Sequence, residues 1–403
     1  MLIALQKTGG LRNTGNFIVL FLTLSCFAVP FSSTGKSVAL GLALLSILCS
    51  AECRSAVYSS GSKPWCLSAI ALFLIAFIAC FWGVPRWPEQ AFFMEKYSKL
   101  LYLPILAAGF RDQRARKLGI SAIIVSIFIV TFISGIKYAC PELLSHWFPD
   151  PDPGAVFRNH IMTGYMIAFA AYLSAVRLVN TDSLCSRLLY ALLCLFFTFD
   201  ILVINTSVTG YVLYFLLISL WMVQHTSRVK LLVVAVFIAM ILSVIITYSP
   251  ILRVKLSQTI TDLKNQHNPQ IAHSEKTSVG YRLQFHHYAE ELYRRHPWIG
   301  NGTGSFPGLY AIDRPVPSWN WRLTEPHGQY WLVASEWGII GLVGLFAFFG
   351  SLLAAGLKLK SMRHTAVALI CGFMLCNLTD SFLFYSGTGY FFILMMALCL
   401  GES

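Results

Sequence analysis

Long apolar runs alternate with short polar connections along this chain, and the alternation predicts its architecture. Runs at about 17–31, 37–51, 66–84, 99–110, 119–137, 161–179, 188–204, 207–223, 231–248, 329–353, 365–383 and 386–400 are rich in Leu, Ile, Val and Phe. A bilayer core takes about 20 apolar residues as a helix, and bilayer thinning accommodates somewhat shorter runs. The pattern predicts an all-α polytopic membrane protein with about 12 transmembrane helices. One polar stretch breaks it. Residues 250–327 hold no run long enough to cross, which divides the chain into helices one to nine (1–249), a large loop (250–327) and helices ten to twelve (328–403). Within the loop, Ser278–Arg295 has helical spacing, His296-Pro297 ends it, and Gly300-Asn-Gly-Thr-Gly reads as a tight turn.

Composition agrees: 12% of the residues are charged and 56% hydrophobic, where soluble domains carry about 25% charged residues. The net charge of +12 traces largely to alternate connections, which hold Arg54 and Lys63, then Arg111, Arg114, Arg116 and Lys117, then Arg187, Arg228 and Lys230, and last Lys358, Lys360 and Arg363. That bias marks cytoplasmic connections, so the basic balance implies membrane lipids and no nucleic acid. It places both termini in the cytoplasm and the 250–327 loop outside. The run Asn16–Phe31, after Lys7 and Arg12, has a signal-peptide look, yet retaining it as a span keeps the alternation consistent. The eleven cysteines lie mostly in apolar runs and form no CxxC pair, so neither a disulfide framework nor a zinc site is indicated.

The loop concentrates the candidate chemistry, with six of the ten histidines between 251 and 327. Arg282, His286 and Glu290 recur every four residues on one helix face. Arg282 there is suited to clamp a phosphate with its planar fork of donors; the plain alternative is a solvated face with an Arg–Glu pair. His327 stands just before the tenth span, as a general base toward a hydroxyl or as a helix-end anchor. Arg158 and His160 sit where another outer connection meets the sixth span, and either join an anion site or anchor that helix. The glycine-rich turn is a weak phosphate cradle. Charges inside apolar runs default to function or pairing, and Glu336, Asp380 and Asp200 read as supporting residues. The loop histidines show no metal-ligand spacing with a nearby carboxylate pair, so no metal and no cofactor are expected.

Together these residues resemble the O-antigen ligase and polymerase superfamily. The order is Arg282 on a loop helix, Pro297-Trp-Ile-Gly-Asn-Gly, His327-Gly-Gln-Tyr, then Glu336-Trp-Gly-Ile-Ile-Gly, with Asp380-Ser near the end. Two positions depart from the family pattern. Ser207-Val-Thr-Gly lacks the arginine of the family's Ser-Arg-x-Gly, leaving Arg158 or another basic residue to compensate, and Gly328 replaces an asparagine after the histidine. A single dominant loop between the ninth and tenth spans, with no further domain after the last, is closer to ligases than to polymerases or protein-directed members.

The resemblance implies an inner-membrane glycosyltransferase of lipopolysaccharide biosynthesis, with its site facing the periplasm. The donor would be undecaprenyl-diphosphate-linked O-antigen and the acceptor a sugar of lipid A–core oligosaccharide. In that mechanism His327 deprotonates the acceptor, and Arg282 holds the diphosphate with Arg158, His160, His286, and Arg322 or Arg253. Glu336 and Asp380 support them, and Trp298, Trp319 and Trp321 stack on sugars. The displacement is inverting and metal-independent. An O-antigen polymerase is the nearest alternative, and a lipid or glycan transporter the more distant one.

Overall fold

The computed structural model describes residues 2–85, 89–225 and 278–403, and of residues 2–14 only the backbone. Among the described residues all regular structure is helical. The first part holds α1 (Leu2–Ala28), α2 (Ser33–Cys49), α3 (Ala51–Ser60), α4 (Pro64–Ile78) with a 3-10 turn, α5 (Glu89–Gly109), α6 (Gln113–Ala139), α7 (Pro141–Leu144), α8 (His160–Val179), α9 (Leu184–Phe199) with a π turn opened by buried Asp200, and α10 (Val208–His225). After the undescribed stretch come α11 (Ser278–Arg295), α12 (Ser305–Asp313), α13 (Gln329–Leu357), α14 (Arg363–Cys376) and α15 (Ser386–Leu400).

Among the described residues six helical segments are long and apolar enough to cross a membrane, and α2 with α3, bent by 93°, makes a seventh if taken as one span. Shorter apolar helices cover Gly15–Ala28, α14 and α15. Eleven of the predicted runs thus coincide with helices, and the run at 231–248 lies outside the described residues, as does Arg253. Helix α15 is buried on all sides, as a helix apolar all round must be in a bundle core. Helix α9 instead exposes Leu188, Leu192, Leu195 and Phe199 along one stripe, which suits a lipid-facing position.

Basic residues of two of these connections meet around the C-terminus and the end of α3. Lys63 bonds Ser403, Arg111 bonds Ser59, and Arg116 reaches the Gly401 carbonyl. This is the clustering that the charge alternation predicts.

Elsewhere the predicted run 365–383 departs from the structure. Helix α14 stops at Cys376, and residues 377–385 form a compact turn before α15. The polar partners explain the break. Asn377 gives its carbonyl to Gln329 N and its side-chain oxygen to Leu383 N, while Gln329 Oε1 accepts from Phe384 N. Lys99, fully buried on α5, donates its ammonium to the carbonyls of Leu383, Phe384 and Tyr385 at 2.6, 3.3 and 3.1 Å. Backbone carbonyls freed from a helix inside a bilayer need such a partner, and one lysine serves three. Replacing it by an apolar chain leaves buried carbonyls unmet, at about 1–3 kcal/mol for each lost partner. Lys99→Met is therefore expected to lower the unfolding midpoint in detergent by several degrees; an unchanged midpoint would show that the turn is held by other means.

Candidate active site

The 377–385 turn, the start of α13 and helix α11 meet around His327. Glu325 is 1% exposed and collects four polar neighbours. Ser381 Oγ donates to Oε2 at 2.5 Å, the Tyr385 hydroxyl to Oε1 at 2.6 Å, and His327 N to Oε2 at 2.7 Å. The fourth is the His327 ring, whose Nδ1 lies 3.1 Å from Glu325 Oε1. The same Nδ1 is 3.2 Å from Asp380 Oδ1, which also accepts from Ser381 N at 2.9 Å. The imidazole thus sits with one nitrogen between two buried carboxylates. Its Nε2 has no hydrogen-bond partner among the described residues, and the side chain keeps 26% of its exposure.

The backbone there is constrained. His327 has φ +56, in the left-handed region that a non-glycine residue seldom occupies. Such strain persists only where surrounding contacts over-determine it, and it concentrates at functional positions. The contacts are visible: His327 N is tied to Glu325, and its carbonyl accepts from His286 Nε2 at 2.9 Å. That bond requires the Nε2–H form of His286. Burial first, then the Arg282 and His327 charges, hold its pKa below the usual histidine value, against the carbonyl bond and Asp380, which raise it. Gly328 has its reason here too. A side chain at that position would place its Cβ 2.8 Å from His286 Nε2, so a larger residue there would push the His286 ring off the His327 carbonyl.

Electrostatics set the ring's proton affinity. Burial disfavours the charged imidazole, but the carboxylates of Glu325 and Asp380 outweigh it and raise the His327 pKa above its usual value, while Arg282 pulls the other way. The Glu325 pKa is raised as well, by burial first and by Asp380, against His327 and the two hydroxyls. A proton shared between buried acid and base belongs to the group of residues. Glu325, His327 and Asp380 each offer one ligand atom within 4.8 Å of the others, so the cluster also has the donor set for a divalent cation. No spacing in the chain announces this donor set, because the two carboxylates come from opposite sides of a helix–turn–helix.

Helix α11 covers the cluster with the face that carries Arg282 and His286, one turn apart. That face does carry an Arg–Glu pair, but one that leaves Arg282 out. Glu290 pairs with Arg294 at 2.6 Å, and Arg282, half-buried, has no hydrogen-bond or ion-pair partner among the described residues. The other basic candidates are held elsewhere by the contacts seen. Arg158 donates to Ser33 Oγ at 2.8 Å and to the Val29 carbonyl at 3.2 Å, bracing the α1–α2 turn. His160 Nδ1 lies 2.8 Å from Asp152 Oδ2. Burial opposes ionisation of Asp152, yet bonds from His160, Thr206 and Gly154 N win and bring it down to about 2. Arg322 is 3.7 Å from Glu89 and largely exposed. Among the predicted residues, the described contacts join His286, His327 and Asp380 into one cluster, and the charge of Arg282 acts on both histidines.

Glu336 and the glycine turn serve the frame. Helix α13 breaks at Gly338 (φ 62), and the turn 297–304 packs into the break. Gly302 N donates to the Glu336 carbonyl at 2.8 Å and Ile339 N to the Pro297 carbonyl at 2.8 Å, while the Glu336 carboxylate faces Phe306 N at the start of α12. A Cβ on Gly300 would lie 2.3 Å from the Glu336 carbonyl carbon. The turn is consumed by packing and is no phosphate cradle. Glu325, Tyr385 and Lys99 are the residues of this site and its frame that the sequence does not single out, while Ser381 is marked only as the neighbour of Asp380. The one signal for Glu325 is an acidic residue two places before the histidine.

Residues 192–346, from α9 through the first half of α13, match the protein family described as O-antigen ligase. No curated protein matches the chain. The matched stretch contains Arg282, Glu325, His327 and Glu336, and Asp380 joins them from outside it. Within a multi-pass helical frame, this stretch is thus similar to the O-antigen ligase family, over somewhat more than a third of the chain.

Proposed function

We propose that this chain is an O-antigen ligase of the bacterial inner membrane, active at the periplasmic face. It would transfer undecaprenyl-diphosphate-linked O-antigen to a sugar hydroxyl of lipid A–core. The observation that carries the reading is the His327 imidazole, anchored at Nδ1 by two buried carboxylates, open at Nε2, and overlain by Arg282 without a carboxylate partner among the described residues. A carboxylate on one ring nitrogen fixes the tautomer and strengthens the other nitrogen as a base.

The reaction follows from those roles. His327 Nε2 takes the acceptor hydroxyl proton as that oxygen attacks the anomeric carbon. The carbon–oxygen bond to the lipid diphosphate breaks with inversion, and the diphosphate leaves with the electron pair, its charge met by Arg282. General-base help of this kind contributes roughly 10²–10⁴-fold. Diphosphate is a good leaving group, so no step calls for a nucleotide sugar or a metal. His286, Glu325 and Asp380 act through His327 by holding it.

Reconstitution tests this. Purified protein with lipid-linked O-antigen and lipid A–core, in chelator and without ATP, is expected to give a glycan ladder on lipid A–core. His327→Ala and Arg282→Ala are each expected to lose at least about a hundredfold in rate at normal protein levels. Arg282→Lys should fail as well if the contact is two-pronged. Longer lipid-linked glycans with bare core would identify a polymerase, and loss of the ladder only on chelation would reassign the Glu325–His327–Asp380 cluster to a cation.

The pH profile tests the roles of the carboxylates. A base works deprotonated, so kcat/KM is expected to rise with pH through an apparent pKa above the ordinary histidine value. Glu325→Gln removes the first-ranked charge that raises it, so the acidic limb should move to lower pH, with a slower plateau. An unmoved limb would mean that Glu325 only supports the fold.

A further inference from the structure

Between Val84, Pro85 and Glu89 on one side and the segment 314–323 on the other lies a cavity of about 920 Å³. That is the size of pockets that engulf small organic ligands. Nothing in the transfer step described above uses it. We propose that this cavity is a saccharide-binding subsite that holds a glycan portion of one of the two substrates while His327 acts on the reacting hydroxyl; the assignment rests on the transferase reading.

Its walls have the chemistry of a sugar site. Trp321 is 75% exposed, an apolar plane left open to water that the flat face of a pyranose would cover. Trp319 and Tyr310 also line the cavity, and the indole N–H of one and the hydroxyl of the other are buried without a hydrogen-bond partner. Both atoms are closed off from solvent, so these rings offer the cavity their apolar faces and edges rather than their polar atoms. Arg322 and Glu89, 3.7 Å apart at the rim, offer donors and acceptors to hydroxyl groups. An acyl chain would instead ask for an aliphatic lining without charged groups. Arg314, also at the wall, has φ 46, a second left-handed non-glycine residue after His327.

The cavity is coupled to the reacting centre by aromatic contact. The Trp319 ring lies 5.2 Å from Phe285 and 4.9 Å from Tyr281, and Phe285 lies 5.9 Å from the His327 ring. A saccharide against Trp319 would therefore be two ring contacts from the base. In this arrangement Arg322 and the tryptophans 319 and 321 act on glycan, and Trp298, away from the cavity lining, does not take part.

The test uses the full chain in detergent and two soluble probes from the bacterium that encodes it: delipidated core oligosaccharide and delipidated O-antigen polysaccharide. Calorimetric titration is expected to show binding of one probe, equally to wild type and His327→Ala. Trp321→Ala, at an exposed position, should weaken binding by up to about tenfold, the worth of one aromatic stack, and Arg322→Ala should weaken it too. In transfer assays Trp321→Ala should raise KM for the parent substrate of that probe with kcat nearly unchanged. Binding of core oligosaccharide marks the cavity as the acceptor side, and binding of O-antigen as the donor side. If neither probe binds, or if binding ignores both substitutions, the subsite is overturned while wild-type transfer leaves the transferase reading standing. Specific binding without any transfer would keep the subsite and sink that reading.

Discussion

Glu325 is a carboxylate taken out of water, and the site is arranged around what that requires. A buried carboxylate is costly unless its oxygens are met, and breaking such a cluster by removing one partner leaves an uncompensated charge. Two hydroxyls, a backbone N–H and an imidazole meet this one. Ser381 and Tyr385 reach it only because α14 ends at Cys376 and the chain turns back on itself. That turn exposes carbonyls of its own, which Lys99 caps from α5. A single constraint thus runs from the bundle core to the ring of His327, and His327 inherits a fixed orientation and a strained backbone from it.

The motif residues 297–304 and 336–338 solve a different problem. A loop lying over a helical bundle needs a rigid attachment, and a continuous α13 would offer none, because its backbone groups would be spent along the helix. The break at Gly338 frees the Ser335 and Glu336 carbonyls, which accept from Asn301 N and Gly302 N of the turn, and the Ile339 and Ile340 amides, which donate to the Pro297 and Trp298 carbonyls. Trp337 and Thr303 extend the joint to the end of α4. Glycines recur here because backbone lies against backbone. Their spacing resembles a ligand cradle in sequence and is an internal joint in the fold.

The helices were legible because a lipid-embedded bundle writes itself as apolar runs, and α11 because its spacing and the Pro297 stop mark both ends. The break at 377–385 was not, since Leu378 and Phe382–Phe384 keep that segment apolar and nothing local reveals that Lys99 will cap it. Arg282 and His327 could be singled out by residue type and order. Glu325 could not, because its role depends on Ser381 and Tyr385, more than fifty positions away. Arg158, His160 and Arg322 show the converse. A basic residue beside a predicted span is compatible with anion binding or with anchoring, and only the folded chain shows that Arg158 bonds Ser33, His160 meets Asp152 and Arg322 lies near Glu89.

Arg282 and the two carboxylates act on His327 with opposite sign, and the opposition has a consequence for the proposed reaction. In the substrate-free protein the Arg282 charge works against protonation of the imidazole. A diphosphate bound at Arg282 would neutralise that influence and add negative charge, so the carboxylates would act unopposed and the ring would become a stronger base. Base strength would then peak only when the donor is in place. A base that sharpens on donor binding favours transfer to the acceptor over idle proton exchange with water, and it does so without any movement of the frame. The rigidity of the joint at Gly338 and of the Lys99-capped turn is what such a mechanism needs, because the coupling is electrostatic and depends on fixed distances.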